Sequence, residues 1–229
     1  MNWVIDNLGL IGELTLIHLR QSVIALVIGF VISVPLGWIA WRYRLVRSSV
    51  ITITGLLYTI PSLALLIIVP AATGWYSFTS ETNLIVALTI YAIAILVRSV
   101  ADGLDSVDPG VRQASTAIGY GSFRRFWAVE FPLAGPVILA GLRVTAASTI
   151  SLATVGILVG ITNLGYLFTN GSQRRIIPEV LAGVVAVVLL ALVIDLILIL
   201  IGRMLLPWTR RVPKTKAQRT AAIPVGARA

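Results

Sequence analysis

Cysteine is absent from this chain of 229 residues, histidine occurs once, as His18, and lysine only twice, as Lys214 and Lys216. Each shortage excludes a chemistry. Without cysteine there is no disulfide framework and no thiolate metal site, and a single histidine rules out histidine-based metal clusters. What remains does not supply the acid, base or metal constellation that an integral membrane enzyme needs. A phosphate-cradling Gly-Lys-Ser/Thr loop is missing too, because neither lysine follows a glycine. Charge itself is scarce: 12% of residues are charged against 58% apolar, whereas a water-soluble domain of this length needs far more polar surface.

What the chain has instead is a series of long, charge-poor apolar runs. Five are long enough to cross about 30 Å of hydrocarbon. They cover residues 21–41, 50–73, 82–100, 137–161 and 180–206. The expected fold is therefore all-α and integral to the membrane, with five transmembrane helices. An external amino-terminal segment (1–20), a long connection (101–136) and a basic tail (207–229) complete the expected organisation. The segment from Met1 to Leu19 carries Asp6 and Glu13 but no early Lys or Arg, unlike a secretory leader, so the first span is expected to stay in the mature protein.

The formal charge of +9 does not point to nucleic acid, because the basic residues fall in the connections between apolar runs. Arg42, Arg44 and Arg47 follow the first run; Arg98, Arg112, Arg124, Arg125 and Arg143 surround the third connection; seven more lie from Arg203 onward. These groups hold fifteen of the eighteen basic residues and share one side of a five-span protein. The opposite side has Arg20, Arg174 and Arg175. The excess of positive charge marks the cytoplasmic side, so the amino terminus is expected outside and the tail in the cytoplasm. The tail beyond Trp208 suits contact with anionic lipid headgroups or an unfolded state.

The third connection is too long for a turn. Asp108 is a good N-cap with Pro109 at the first helical position, Val111, Ala114 and Ile118 share one helical face, and Gly119 ends the helix. Ser122 can cap a second short helix with Phe123, Phe126 and Trp127 on one face and Arg124 and Arg125 on the other. Phe131, placed before Pro132, is expected to leave the helical conformation and end it. Two short amphipathic helices between two spans result. Such helices suit either a partner surface or the headgroup layer.

The spacing in this connection matches a known pattern. Gln113-Ala114-Ser115, three residues, Gly119, nine residues and Val129-Glu130-Phe131-Pro132 resemble the cytoplasmic loop of binding-protein-dependent ABC importer permeases, whose pattern is Glu-Ala-Ala, three residues, Gly, nine residues, Ile-x-Leu-Pro. Gln113 replaces the family's Glu and loses its charge, while Ser115, Val129 and Phe131 roughly keep size. The resemblance implies a five-helix, MetI-like type I permease whose loop docks on a cytoplasmic ATPase. Candidate coupling residues are Gln113, Ala114, Ser115, Gly119, Phe126, Trp127, Glu130 and Pro132. Phe126 and Trp127 serve either as docking knobs or as packing against the chain's own spans. The resemblance further implies a bacterial plasma membrane, a second permease subunit, copy or paralogue, an extracytoplasmic substrate-binding protein, lipid contact, and ATP with Mg²⁺ bound by the partner and no cofactor bound here.

Further segments resemble the glycine betaine, carnitine and choline branch: Thr59 to Leu65 (TIPSLAL), Asn163 to Phe168 (NLGYLF), Leu181-Ala182-Gly183, and Leu190 to Asp195 (LALVID). The resemblance covers roughly residues 16–206 and implies a translocation path for small osmoprotectants, with other solutes, or an ATP-independent carrier or channel, as the competing readings. A carrier predicts internal repeats or several paired intramembrane charges, and neither is visible. Candidate path residues are Tyr58, Pro61, Ser62 and Asp195. Pro61 either kinks its helix or opens carbonyls to a path. Asp195 lies about 16 Å from the cytoplasmic end of its helix, where a carboxylate faces protein or water: the path, a second subunit, or a hydrogen bond to a neighbouring span. Small residues of the fourth run (Gly141, Ala146, Ala147, Ser148, Ser151, Ala153, Gly156, Gly160) fit close packing within the chain or between subunits. Trp75, Tyr76 and Phe78 fit membrane-interface anchors or an aromatic contact for a cationic solute.

Overall fold

The computed structural model describes residues 2–74 and 77–211. Trp75, Tyr76 and the tail beyond residue 211, including Lys214 and Lys216, lie outside the described residues. Among those described, every regular element is helical: α1 (Asn2–Asp6), α2 (Leu8–Arg42), α3 (Arg44–Thr59), α4 (Ser62–Thr73), α5 (Glu81–Asp105), α6 (Pro109–Ala117), α7 (Ser122–Arg125), α8 (Phe131–Ala153), α9 (Gly165–Gln173) and α10 (Ile177–Leu205). A π turn (Phe126–Glu130) joins α7 to α8, a 3-10 turn (Thr154–Val159) follows α8, and another (Pro207–Arg211) follows α10.

Helix α5 is the hub, with α2 and α8 packed along it. Glycine makes the α2–α5 contact close: a Cβ at Gly29 would stand 2.6 Å from Ala92 Cβ, and one at Gly37 2.6 Å from Val100 Cβ. Part of the small-residue stripe of the fourth run, in α8 and the 3-10 turn after it, serves the same end. Gly141 faces Ser99 of α5, Gly156 faces Leu84, and Ala146 and Ala153 are buried, while Ala147 and Ser151 stay exposed.

Helices α2, α5, α8 and α10 are each long and apolar enough to cross a membrane. The run at 50–73 is not one straight helix. It divides into α3 and α4, bent by 107° at Ile60-Pro61. Pro61 has no N–H to continue the helix and holds Ile60 in an extended conformation (φ −66°, ψ 128°). One end of this broken pair meets the carboxyl end of α5, where Arg47 reaches Asp105 at 2.5 Å. The other meets its amino end, where Asn83 Nδ2 donates to Leu66 O at 2.8 Å. The pair thus touches both ends of α5 and, counted as one broken span, brings the crossings to five.

Two more segments differ from expectation. Helix α2 begins at Leu8, not near Gln21, because Leu10, Ile11, Leu14 and Leu19 pack into a core with Leu164, Leu167 and Leu190. And the α7 helix does not stop at Phe131, which is helical (φ −63°, ψ −45°). Phe131 N–H bonds to Phe126 O, one residue further back than in an α-helix, and this wider turn admits Pro132 without a break. Residues 122–153 are one continuous rod.

Candidate coupling loop and intramembrane ion pair

The loop between α5 and α8 is built by local chemistry. Asp108 Oδ1 accepts from Gly110 N–H at 2.6 Å and caps α6, with Pro109 in the first turn. Gly119, at φ +90°, turns the chain out of α6, and Tyr120 N–H closes back on Ser115 O at 3.0 Å. Ser122 does not cap α7 as expected. Gly121 takes the cap position with no side-chain bond.

Charge then fixes α6 against the start of α8. Glu130 is 1% exposed, and its Oε1 accepts from Arg125 Nε at 2.9 Å. Arg112 Nε approaches the same oxygen at 3.9 Å. Arg125 also donates to Thr116 Oγ1 at 2.8 Å, and Arg112 stacks on Trp41, 4.7 Å from the ring centre, while donating to Leu104 O. One carboxylate therefore gathers an arginine from α6, another from α7 and the base of α8.

The aromatic face divides. Phe126 is buried against Trp38, Trp127 and Phe131, within the core formed by Val34, Val100, Leu104 and Ile138. It packs on the chain's own spans and offers no docking knob. Trp127 is half exposed. The most exposed apolar side chains here are Ile118 (75%) and Phe123 (79%), which were not singled out as contact residues from the sequence. Gln113 and Ala114 are exposed on α6, Ser115 is buried with its hydroxyl on Arg112 O at 2.7 Å, and Pro132 is half buried.

The candidate path residues fall into two groups. Tyr58, Pro61 and Ser62 sit at the α3–α4 break against α5, where Tyr91 donates its hydroxyl to Ile60 O at 2.5 Å and stands edge-on to Tyr58. Asp195 is on α10, which packs on α8 and α9. Its partner is Arg143 of α8: Nε to Oδ1 is 2.6 Å and Nη2 to Oδ2 is 2.8 Å. Of the alternatives open for Asp195, this is a bond to a neighbouring span, made as a single bidentate ion pair. The apolar pattern places Arg143 near the basic edge of its span, whereas it lies twelve residues into α8, about 18 Å along it. Each partner keeps about a third of its side chain exposed (39% and 33%).

At the opposite end from the loop, His18 Nε2 meets Ile150 O at 2.9 Å, and Asn163 donates to Ala153 O at 2.7 Å and to Gln21 Oε1 at 3.2 Å while accepting from Gly165 N–H at 2.8 Å. This network locks α2 to the turn after α8. Among the described residues no three His, Asp or Glu side chains come together as a metal site.

Residues 14–211 match the family of binding-protein-dependent transport system inner membrane components. The chain belongs to that family. It is the membrane-embedded permease subunit of an ABC importer, a multi-pass inner-membrane protein and not an enzyme, since ATP hydrolysis resides in a separate subunit. Membership sets aside the carrier, channel and enzyme readings. The permease is 32% identical over 199 residues to the osmoprotectant import permease protein OsmW of Salmonella typhimurium, covering 86% of this chain and 93% of the relative. It is 33% identical over 201 residues to the choline transport system permease protein OpuBB of Bacillus subtilis, covering 86% and 90%. Its fold matches the MetNI methionine ABC transporter in inward-facing form, with TM-score 0.76 and 22% identity over 87% of this chain and 98% of that one.

Proposed function

We propose that this permease, with a second permease subunit, forms the path by which glycine betaine, choline or carnitine-like solutes cross the membrane. A binding protein delivers the solute outside, and ATP with Mg²⁺ is hydrolysed on ATPase subunits in the cytoplasm. The observation that carries the solute class is the similarity, over most of both chains, to permeases named for osmoprotectant, choline and carnitine import. The arginine distribution supports an external amino terminus and a cytoplasmic carboxyl terminus.

The coupling surface in this reading is the exposed apolar edge of Ile118, Phe123 and Trp127. A push there enters α8 directly, because α7, the π turn and α8 are continuous and Glu130 ties α6 to their junction. Helix α8 carries Arg143, and Arg143 holds Asp195 of α10. The motion of one cytoplasmic loop thus reaches two spans through charged contacts. A partly exposed ion pair on an otherwise apolar face is costly against lipid and far less so against protein or water. This supports the α8–α10 face as the one turned to the path or the second subunit.

The test is uptake into vesicles holding the permease with its ATPase and binding protein. Labelled glycine betaine, choline or carnitine accumulates only with ATP and binding protein present. Accumulation without ATP, or of none of the three, contradicts the reading.

A further inference from the structure

A second site lies where α2 turns into α3. Trp41, Arg42, Arg44, Arg47, Asp105 and Arg112 line a cavity of about 550 Å³, so four guanidinium groups face one carboxylate. The nearby acids are already engaged. Asp105 holds Arg47 at 2.5 Å, Asp102 is shared by Arg47 at 3.5 Å and Arg98 at 3.9 Å, and Glu130 holds Arg125. Arg112 is spread over Trp41. Arg42 and Arg44 have no acidic partner among the described residues, and Arg42 lies 6.0 Å from the Tyr43 ring centre. The cavity is therefore cationic and preformed, with its inner arginines fixed and its outer two free to take an anion.

The surroundings identify the anion. Tyr43 alone separates two helices that both enter the membrane, so this corner stands at the level of the headgroups. Hydrocarbon flanks the cations: Leu45 is 97% exposed, and Tyr43 and Val46 are exposed beside it. A free phosphate would use the arginines alone. A phospholipid uses both, its phosphate in the cavity and its chains along Leu45 and Val46. We propose that this cavity binds the phosphate of an anionic phospholipid, with Arg42 and Arg44 as the principal contacts. Because Arg112 belongs to α6, the bound headgroup also touches the loop that meets Glu130, and lipid charge is read at the base of α8. The inference goes beyond the transport reading and needs only that the chain is embedded in a membrane.

The experiment is native mass spectrometry of the full-length protein in detergent, equilibrated with equal phosphatidylglycerol and phosphatidylethanolamine. Wild type retains phosphatidylglycerol over phosphatidylethanolamine by about tenfold. Arg42→Gln/Arg44→Gln loses most of that preference, while Arg98→Gln, outside the cavity on the same side, keeps it. Neither set breaks a buried contact, and an unchanged gel-filtration profile verifies the fold. Equal retention of phosphatidylglycerol by wild type and the double variant overturns the site. An equal loss in the double variant and Arg98→Gln means bulk charge and overturns it too. Displacement of the lipid by millimolar inorganic phosphate at constant ionic strength would show a site for free phosphate and overturn the lipid assignment.

Discussion

Glu130 shows how much one side chain carries in a loop with little core of its own. Its carboxylate is buried, and the two arginines around it are about a fifth exposed. Removing it leaves both guanidiniums in poor solvent with no counter-charge. A fully buried pair broken this way costs about 3–5 kcal/mol, and partial exposure of the arginines brings Glu130→Ala to about 2 kcal/mol. We expect a lower thermal unfolding midpoint in detergent and easier proteolysis between residues 108 and 130. An unchanged midpoint would mean that the arginines are held by water. At this scale the sequence was legible where the chemistry is local: Asp108, Pro109 and Gly119 act within a few residues. It was not legible for Arg143 and Asp195, 52 positions apart, whose pairing depends on how α8 meets α10. Nor was the fate of Phe126, since only the packed spans decide which aromatic turns inward.

At the scale of elements, two prolines act in opposite ways. Pro61 breaks its span, whereas Pro132 is accommodated by a π turn that shifts the bonding register just ahead of it. The rule that a residue before proline leaves the helix therefore held at Ile60 and failed at Phe131. The difference lies in packing: Phe131 packs with the buried Phe126 and the half-exposed Trp127, while the Ile60 carbonyl finds an outside donor in Tyr91. Tyr91→Phe removes that donor and keeps the ring, so the Ile60 carbonyl loses its partner inside the protein. A loss of about 1–2 kcal/mol follows, read as a lower unfolding midpoint. No change would show that the bend is set by Pro61 alone.

For the whole molecule, the helices sort into two ends. Arg42, Arg44, the α6–α7 loop and Arg203 gather at one, and α9 with Arg174 and Arg175 at the other. The absence of native cysteine makes this topology directly measurable. Ser172→Cys and Ser122→Cys both place an exposed thiol, one at each end. An impermeant maleimide added to intact spheroplasts should label Ser172→Cys, and label Ser122→Cys only after the membrane is opened. The reverse pattern would invert the orientation. The number of apolar runs was readable from where charges interrupt the sequence, because each crossing needs its own apolar length. A break at Pro61 was legible from the proline itself, but its 107° angle and the extension of α2 to Leu8 were not, since both depend on neighbours far along the chain.

The proposed ATPase contact is the apolar edge of the α6–α7 loop, and the transport reading depends on it most. The direct measurement is co-purification of the detergent-extracted permease with its co-expressed ATPase, comparing wild type with Ile118→Asp/Phe123→Asp. Both positions are more than 70% exposed, so the charges burden the docking surface and not the fold. Wild type is expected to retain the ATPase and the double variant to lose it, with unchanged gel-filtration behaviour. Equal retention by the two would contradict that contact.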